Sequence, residues 1–254
     1  MKKHMEPEFT QRLHSIAFRA TKADCLDLPE TVDIIRLVDL EPKALKAYRE
    51  LVRDSFTELC AENSVTANNI LVRLMRFSQL TGGFIRSDAG KMQQISKAKL
   101  SALEDVIDDV TESGKLVIIA RFVPEIKAIC KLLEQKKIQY SCVRGGVKDR
   151  DEQVAAFQKD PEVQVFVGQI STAGTGITLT AASTMVLYST DYSMSNHEQV
   201  RARIHRVGQE NKCTYIHLTA KGTVDEKILK ALHDKADLAR TLVDDYRNGG
   251  NPYD

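Results

Sequence analysis

The 254-residue sequence is 43 % hydrophobic and 28 % charged, with a formal net charge of +1, the make-up of an ordinary soluble globular chain. No apolar run approaches the roughly 18 residues that a bilayer span needs, and the charged N-terminus has no apolar stretch behind it to serve as a signal peptide. Cys25, Cys60, Cys130, Cys142 and Cys213 are odd in number and never spaced as CxxC, which points to reduced thiols in a cytosolic compartment and away from a zinc site or a disulfide framework; with so balanced a charge, any polyanion site must be a local patch.

In chain order, "LEPKALKAYRELVRDSFTELC" and "NNILVRLMRFSQLTGGF" have helical periodicity with no strands between them, and "SKAKLSALEDVIDDV" gives a third helix started at or near Ser96. From residue 116 the pattern changes. "LVIIA" reads as a buried strand and is followed by the amphipathic "PEIKAICKLLEQKK", with proline at its start. "QYSCV", the helix around "DEQVAAFQ", "VQVFVGQ", "TMVLYS", a short helix from about 197 and "CTYIHL" continue the alternation. Strands alternating with helices predict an α/β fold, a parallel sheet covered on both faces. A long helical segment from Val224 to about Tyr246 follows, and "RNGGNPYD" reads as a frayed tail. The predicted layout is a helical region over 1–112, a sheet domain over 113–220 and a C-terminal helix with a flexible tail over 221–254.

Two segments carry the chemistry. In "HEQVRARIHRVGQ", winding at about 100° per residue puts Val200, Ile204 and Val207 on one buried stripe and Gln199, Arg203 and Arg206 within about 60° of one another; His205, Arg201 and Glu198 form a third cluster. Two guanidinium forks and an amide on one strip suit a multiply charged oxyanion such as phosphate, and a solvated charged face is the plainer alternative. The loop "GQISTAGTGITLTAA" leaves a buried strand at the carboxyl edge of the sheet, where open α/β folds bind ligands. Gly174 and Gly176 let backbone amides approach a phosphate there, and Ser171 and Thr172 add hydroxyls; a glycine-rich turn without a ligand is the alternative. Leu179 stands where a dinucleotide fingerprint needs its third glycine, so a nicotinamide or flavin is not expected. No GxxxxGK[ST] occurs in the sequence, and no acidic DExx motif ends an apolar strand, so it lacks the usual means of holding a triphosphate and its magnesium.

These segments, taken in order, resemble the Swi/Snf-type branch of superfamily two helicases and translocases. "QVRARIHRVGQ" resembles that family's motif VI, "STAGTGITLTAASTMVLYSTDYS" its motif V with the strand that follows, and "KLVIIARF" its motif IV. "GGVKDRDEQVAAF" is similar to the segment after motif IV, "FRATKADCLDLPE" to the stretch leading into the second lobe, and "RLMRFSQLTGG" and "KAKLSALEDVI" to the helices inserted before motif IV. Thr175 departs from the family's second glycine in motif V, and "DYSMSN" from its D-W-N-P.

The resemblance implies a second RecA-like lobe: a parallel sheet with helices on both faces, preceded by a helical insertion region. It further implies ATP between this lobe and a first RecA-like lobe absent from this chain, which would hold most of the ATP and the Mg2+, and duplex DNA running across both. In that scheme Arg203 and Arg206 are arginine fingers, Gln199 contacts phosphate or its water, and Gly208 ends their helix. Gly174 and Gly176 lie on the ATP-side loop, while Ser171, Thr172, Arg121 and Arg144 touch the DNA backbone. Lys91, Lys97 and Lys99 read as a solvated basic cluster, and Phe122 as core. The chain alone is expected to hydrolyse no ATP. No membrane partner is expected, and the implied location is the cytoplasm of a bacterium or viral host or, in a eukaryote, the nucleus. A stand-alone adaptor that keeps the fold for DNA or protein binding is the alternative from another class.

Overall fold

The computed structural model describes residues 27–61, 66–87, 90–173, 176–235, 238–248, 251 and 253. Six strands form one parallel sheet: β1 (Thr31–Val38), β4 (Lys115–Ala120), β5 (Gln139–Val143), β6 (Val163–Gln169), β7 (Ala182–Leu187) and β8 (Cys213–Ala220). Their spatial order is β1-β8-β7-β4-β6-β5. The chain thus runs from β4 to one side through β5 and β6, then returns to the other side for β7 and β8. The central strands are buried almost end to end: Leu116 to Ala120 are fully covered, as are Val165 to Val167. Near-continuous apolar runs are what a sheet covered on both faces demands.

Helices α3 (Ala98–Thr111) and α4 (Val123–Gln135) cover one face, packing Leu103, Ile107, Ile126, Ile129 and Leu133 on the even-numbered side chains of β4. The other face is covered by α5 (Arg150–Lys159), the single turn α6 (Ile170–Ala173) and α7 (Met194–Arg201), around Phe157, Phe166, Met185, Val200 and Ile204. Pro124 at the start of α4 costs no helix hydrogen bond there, and the Glu125 side chain turns back to accept from the Phe122 N–H at 3.0 Å.

Before β4, the predicted helices appear as α1 (Pro42–Ala61) and α2 (Ala67–Thr81), followed by a small hairpin of β2 (Phe84–Arg86) and β3 (Met92–Gln94). Ala44, Tyr48, Val52 and Leu59 recur after one or two turns along α1, at spacings of four, four and seven, and Ile70, Leu74 and Phe77 at four and three along α2; all are buried in a second core. Thr66 caps α2 by accepting from the Asn69 N–H.

Three expectations are corrected. The sheet takes its edge strand, β1, from the region read as helical; it pairs with β8 over its whole length, from Thr31 opposite Cys213 to Val38 opposite Ala220. Strand β1 escapes a pattern reading because it is an edge strand, exposed on Ile34, Ile35 and Leu37, and "TVDIIRLV" shows neither clean alternation nor an uninterrupted apolar run. The long C-terminal helix is two helices, α8 (Val224–His233) and α9 (Leu238–Arg247), with Lys235 in the left-handed region at φ 51° just after the first. The tail does not fray throughout: Tyr253 is buried, its ring edge-on to Phe77 with centroids 4.9 Å apart. Residues 40–80 and 220–253 therefore share one core.

Candidate functional site

Helix α7 starts on Ser193, whose side chain accepts from the Asn196 N–H, and ends at Arg201. The strip predicted on a continuous helix is therefore bent. The Ala202 N–H is shared between Glu198 O and Val200 O, and Arg203 N–H reaches back only to Val200 O. Carbonyls past the end of the helix are also met from outside: Tyr215 Oη donates at 2.9 Å to Arg201 O, which also accepts from His205 N–H at 3.3 Å, and Leu179 N–H donates to Arg203 O at 2.9 Å. Val200 and Ile204 are buried as expected, but Val207 is 65 % exposed, because the 100° winding stops six residues before it. Gly208 does not end the helix. It sits at φ 93° and turns the chain so that Gln209 points inward, where its amide donates to the carbonyls of Thr180, Ala182 and Ile204 and its oxygen accepts from Asn211 N–H. The glycine-glutamine pair is a clamp that fixes the turn against the start of β7.

The arginines of this segment divide in two. Arg201 is built into the fold: its guanidinium pairs with Asp33 through both nitrogens and lies 3.8 Å from the centre of the Tyr215 ring. Asp33 also meets His217 Nε2 at 2.8 Å. Burial works against its charge, but the bonds from Arg201 and His217 win and hold the carboxyl well below its usual range. Arg203 donates to Gln199 O at 2.9 Å and Ile177 O at 3.2 Å, which ties the turn to the loop just past Gly176. Burial, and then the charges of Arg206 and Arg150, depress its proton affinity. Arg203 thus stands close enough to Arg206 and to Arg150 to feel the charge of each. Among the described residues no carboxylate pairs with Arg206, which is exposed. Gln199 is exposed too, and its amide donates to Ser195 Oγ, one turn back. Gly176 takes φ 69° with open space where a Cβ would be; Gly174 lies outside the described residues.

Arg150, at the first turn of α5, was not singled out from the sequence. The signal is an arginine at a helix start after a glycine pair, and it means nothing until α5 is placed beside the end of α7. Such a cluster favours a polyanion. Among the described residues no group of three His, Cys, Asp or Glu side chains could hold a metal ion.

At the carboxyl edge of the sheet, Gln169 joins two loops: its oxygen accepts from Gly145 N–H at 3.0 Å, and its amide donates to Arg121 O at 3.4 Å. This places the loops carrying Arg121 and Arg144 beside α6, where Ser171 is exposed and Thr172 half-buried. Arg144 is half-exposed. Arg121 is packed, its guanidinium 4.6 Å from the Tyr192 ring centre and 5.2 Å from that of Phe122, with Asp191 at 3.7 Å.

Behind this edge lies a polar network that pattern reading could not find. Glu125 is fully buried and accepts from Ser189 Oγ at 2.5 Å and Phe122 N–H. Burial pushes its carboxyl up to about 7, against the pull of those two bonds and the charge of Lys99. Lys99 is not solvated: 2 % exposed, it pairs with Asp225 at 2.5 Å and donates to Tyr188 O. Lys91 and Lys97 are exposed, as expected. Tyr188 Oη donates to Gly82 O. A Cβ on Gly82 would stand 1.8 Å from Glu125 Oε1, so only glycine lets the end of α2 seat on this carboxyl.

Comparison with known proteins follows the same division. Residues 98–208 match the Helicase conserved C-terminal domain family. An uncharacterized ATP-dependent helicase of Mycoplasma genitalium is 25 % identical over 231 residues, 89 % of this chain and 22 % of that protein. The chromatin-remodeling ATPase INO80 of Aspergillus oryzae is 32 % identical over 160 residues, 56 % of this chain and 11 % of that protein. The chain thus spans under a quarter of each of these relatives. Its fold resembles the Sulfolobus solfataricus SWI2/SNF2 ATPase core solved in complex with dsDNA, with a TM-score of 0.67 and 24 % identity over 98 % of this chain and 53 % of that one. The parallel sheet and these likenesses agree: residues 98–208 match a helicase C-terminal domain, and the chain as a whole resembles the C-terminal part of Swi/Snf-type ATPases.

Proposed function

We propose that this lobe completes the ATP site of a DNA translocase, closing over a nucleotide held by a first RecA-like lobe in the same parent chain or in a separate one. The observation that carries the reading is Arg203 set near the charges of Arg206 and Arg150, with no carboxylate on Arg206 among the described residues. Guanidinium groups left in that state favour a ligand that brings several negative charges at once, as a triphosphate does. Arg206 is the leading finger because it is exposed; Arg203, anchored on two carbonyls, holds the turn and adds its charge from behind. When charge builds on the γ-phosphoryl oxygens, preset cations stabilise it without reorganising. Magnesium and the phosphate loop belong to the first lobe.

Duplex DNA is the second ligand of this reading, met by the backbone-contacting loops at the carboxyl edge through Arg144, Ser171 and Thr172. The dsDNA complex of the Sulfolobus relative supports this choice. Such contacts position a protein on DNA without reading sequence.

The test uses the two-lobe protein. Arg206→Ala is expected to lower DNA-stimulated ATP hydrolysis by a factor of about 10³ to 10⁵ with DNA affinity near wild type, and Arg206→Lys to fail almost as badly, since a point charge does not reproduce the planar fork. The isolated chain should show no turnover above background. A well-folded Arg203→Ala/Arg206→Ala protein that keeps its ATPase rate would sink the finger assignment and favour an adaptor that uses the lobe only for binding.

A further inference from the structure

We infer that Glu125 is a positioning residue for the carboxyl edge of the sheet: through Ser189 and the Arg121 backbone it sets the loop that carries Arg144. The inference rests on the reading of that loop as a DNA contact. Four hydrogen bonds in series make the connection. Glu125 Oε2 accepts from Ser189 Oγ at 2.5 Å, and Ser189 Oγ accepts from Arg121 N–H at 2.7 Å. Arg121 O accepts from the Gln169 amide at 3.4 Å, and Gln169 Oε1 accepts from Gly145 N–H at 3.0 Å. The links follow the strands in their spatial order. Ser189 lies just past β7, Arg121 just past β4, Gln169 ends β6 and Gly145 lies just past β5. The relay therefore runs along the ends of four neighbouring strands and finishes next to Arg144.

Its inner end is costly to build. A buried carboxyl is destabilising unless its oxygens are bonded, yet Glu125 is fully buried and its Oε1 has no hydrogen-bond partner among the described residues. Capping α4 does not explain this, because that task needs only the bond from Phe122 N–H, and a glutamate at the surface performs it as well. Burial fixes the side chain instead, with the backbone of Gly82 closed over Oε1. The Ser189 hydroxyl has one proton. Donated to Glu125, it leaves the lone pairs of Oγ turned toward Arg121 N–H. Arg121 is then held at both its N–H and its carbonyl, and the bond to Gln169 takes its direction from that hold. Bonds in such a chain polarise and strengthen one another.

Amide exchange followed by NMR on the full chain tests the positioning without DNA. Neither Glu125 nor Ser189 is bonded to Gly145, yet Glu125→Ala and Ser189→Ala should each speed exchange of the Gly145 N–H several-fold. Glu125→Gln, whose amide oxygen can accept both bonds, should restore the wild-type rate. Val167 N–H, in the middle of β6, reports any change in global stability. Should Glu125→Ala not fold, Ser189→Ala carries the test.

Titration of a labelled duplex is the functional arm. Ser189→Ala should weaken binding about two- to tenfold, the scale of one hydrogen bond, and the loss should vanish on an Arg144→Ala background. An Arg144→Ala protein that binds duplex as wild type does would overturn the DNA reading, and the Gly145 exchange rates, which involve no DNA, tell that failure from failure of the relay. The inference is overturned if Gly145 exchange is unchanged in the alanine variants, if Glu125→Gln behaves as Glu125→Ala does, or if the Ser189→Ala loss persists in full without Arg144.

Discussion

Two arginine corners of this lobe are built on opposite plans. After β4, Arg121 is surrounded: Tyr192 and Phe122 offer their ring faces, Asp191 its charge, and the side chain is only 13 % exposed. After α7, Arg206 stands in solvent near the Arg203 guanidinium, which also feels Arg150. The contrast recurs within a single segment, since Arg201 is paired and stacked while Arg206, five residues on, is not. A paired cation is satisfied and serves the fold. One held among its own kind gains most when a polyanion arrives, so the state of pairing sorts structural arginines from ready ones better than their presence in a motif does.

The largest expected effect sharpens that contrast directly. In the two-lobe protein, Arg206→Ala should remove at least about 4 kcal/mol of transition-state stabilisation, the lower end of what an arginine finger supplies, with the thermal midpoint unchanged. Steady-state ATPase assays and thermal melts on one preparation check both halves. A melting point that falls along with the rate would mean that Arg206, like Arg201, is part of the fold.

Next in size is the buried carboxyl behind the carboxyl edge of the sheet. Unfolded, Glu125 titrates near 4.5; folded, it titrates near 7. Between those values the folded protein keeps a proton that the unfolded chain has lost, so stability falls as pH rises through the window. At 1.36 kcal/mol per unit this amounts to about 3 kcal/mol. Glu125→Gln, which has nothing to titrate, should flatten that part of the stability-pH curve. His197 acts in the opposite sense: burial, with help from His217 and Arg201, lowers it to about 4, so its contribution is lost as pH falls from 6.5 toward 4. The difference curve between wild type and Glu125→Gln isolates the carboxyl; a flat difference would show that Glu125 is not held protonated.

How much of this was legible beforehand follows from the range of each interaction. The strands from β4 to β8 could be read because a sheet buried on both faces imposes apolar runs, and the motif segments because their spacing is local. Strand β1 could not be read, since its partner lies at the far end of the chain and its edge position relaxes its pattern. Lys99 looked like a member of a solvated cluster because its carboxylate, Asp225, is more than a hundred residues away. Arg150 was missed for the same reason. The end of α7 was misplaced because winding alone does not show that Leu179 takes the Arg203 carbonyl and that Tyr215 shares the Arg201 carbonyl.

A smaller effect tests the structural side of the comparison. Arg201→Ala removes the Asp33 pair and the Tyr215 stack together. Asp33 is half-exposed, so the pair is screened and contributes within about 1 kcal/mol; the stack adds about as much again. Chemical denaturation should show a loss of about 1 to 2 kcal/mol in total. No loss of stability would mean that Arg201 is as ready as Arg206, and the division between them would fail.

The smallest effect separates Arg121 from Arg144 on duplex DNA. Both were grouped by sequence as backbone contacts, yet Arg121 already spends its charge on Asp191 and its faces on two aromatic rings, whereas Arg144 carries no recorded carboxylate among the described residues. To neutralise a phosphate, Arg121 must give up those partners, and its net gain shrinks accordingly. Arg144 gives up little. Each phosphate neutralised on B-DNA releases counterion with a slope of about −0.9 in log K against log salt. Arg144→Ala should therefore flatten the salt dependence of duplex binding by about one such contact, with the melting point unchanged. Arg121→Ala should leave the slope near wild type and instead lower stability by about 1 kcal/mol, the scale of the cation-π contacts it loses. Titrations of one labelled duplex at several salt concentrations, run beside thermal melts, distinguish the two variants. If Arg121→Ala flattens the slope as much as Arg144→Ala does, its pairing with Asp191 does not hold it back from DNA, and the state of pairing in the free lobe is no guide to which cations a polyanion recruits.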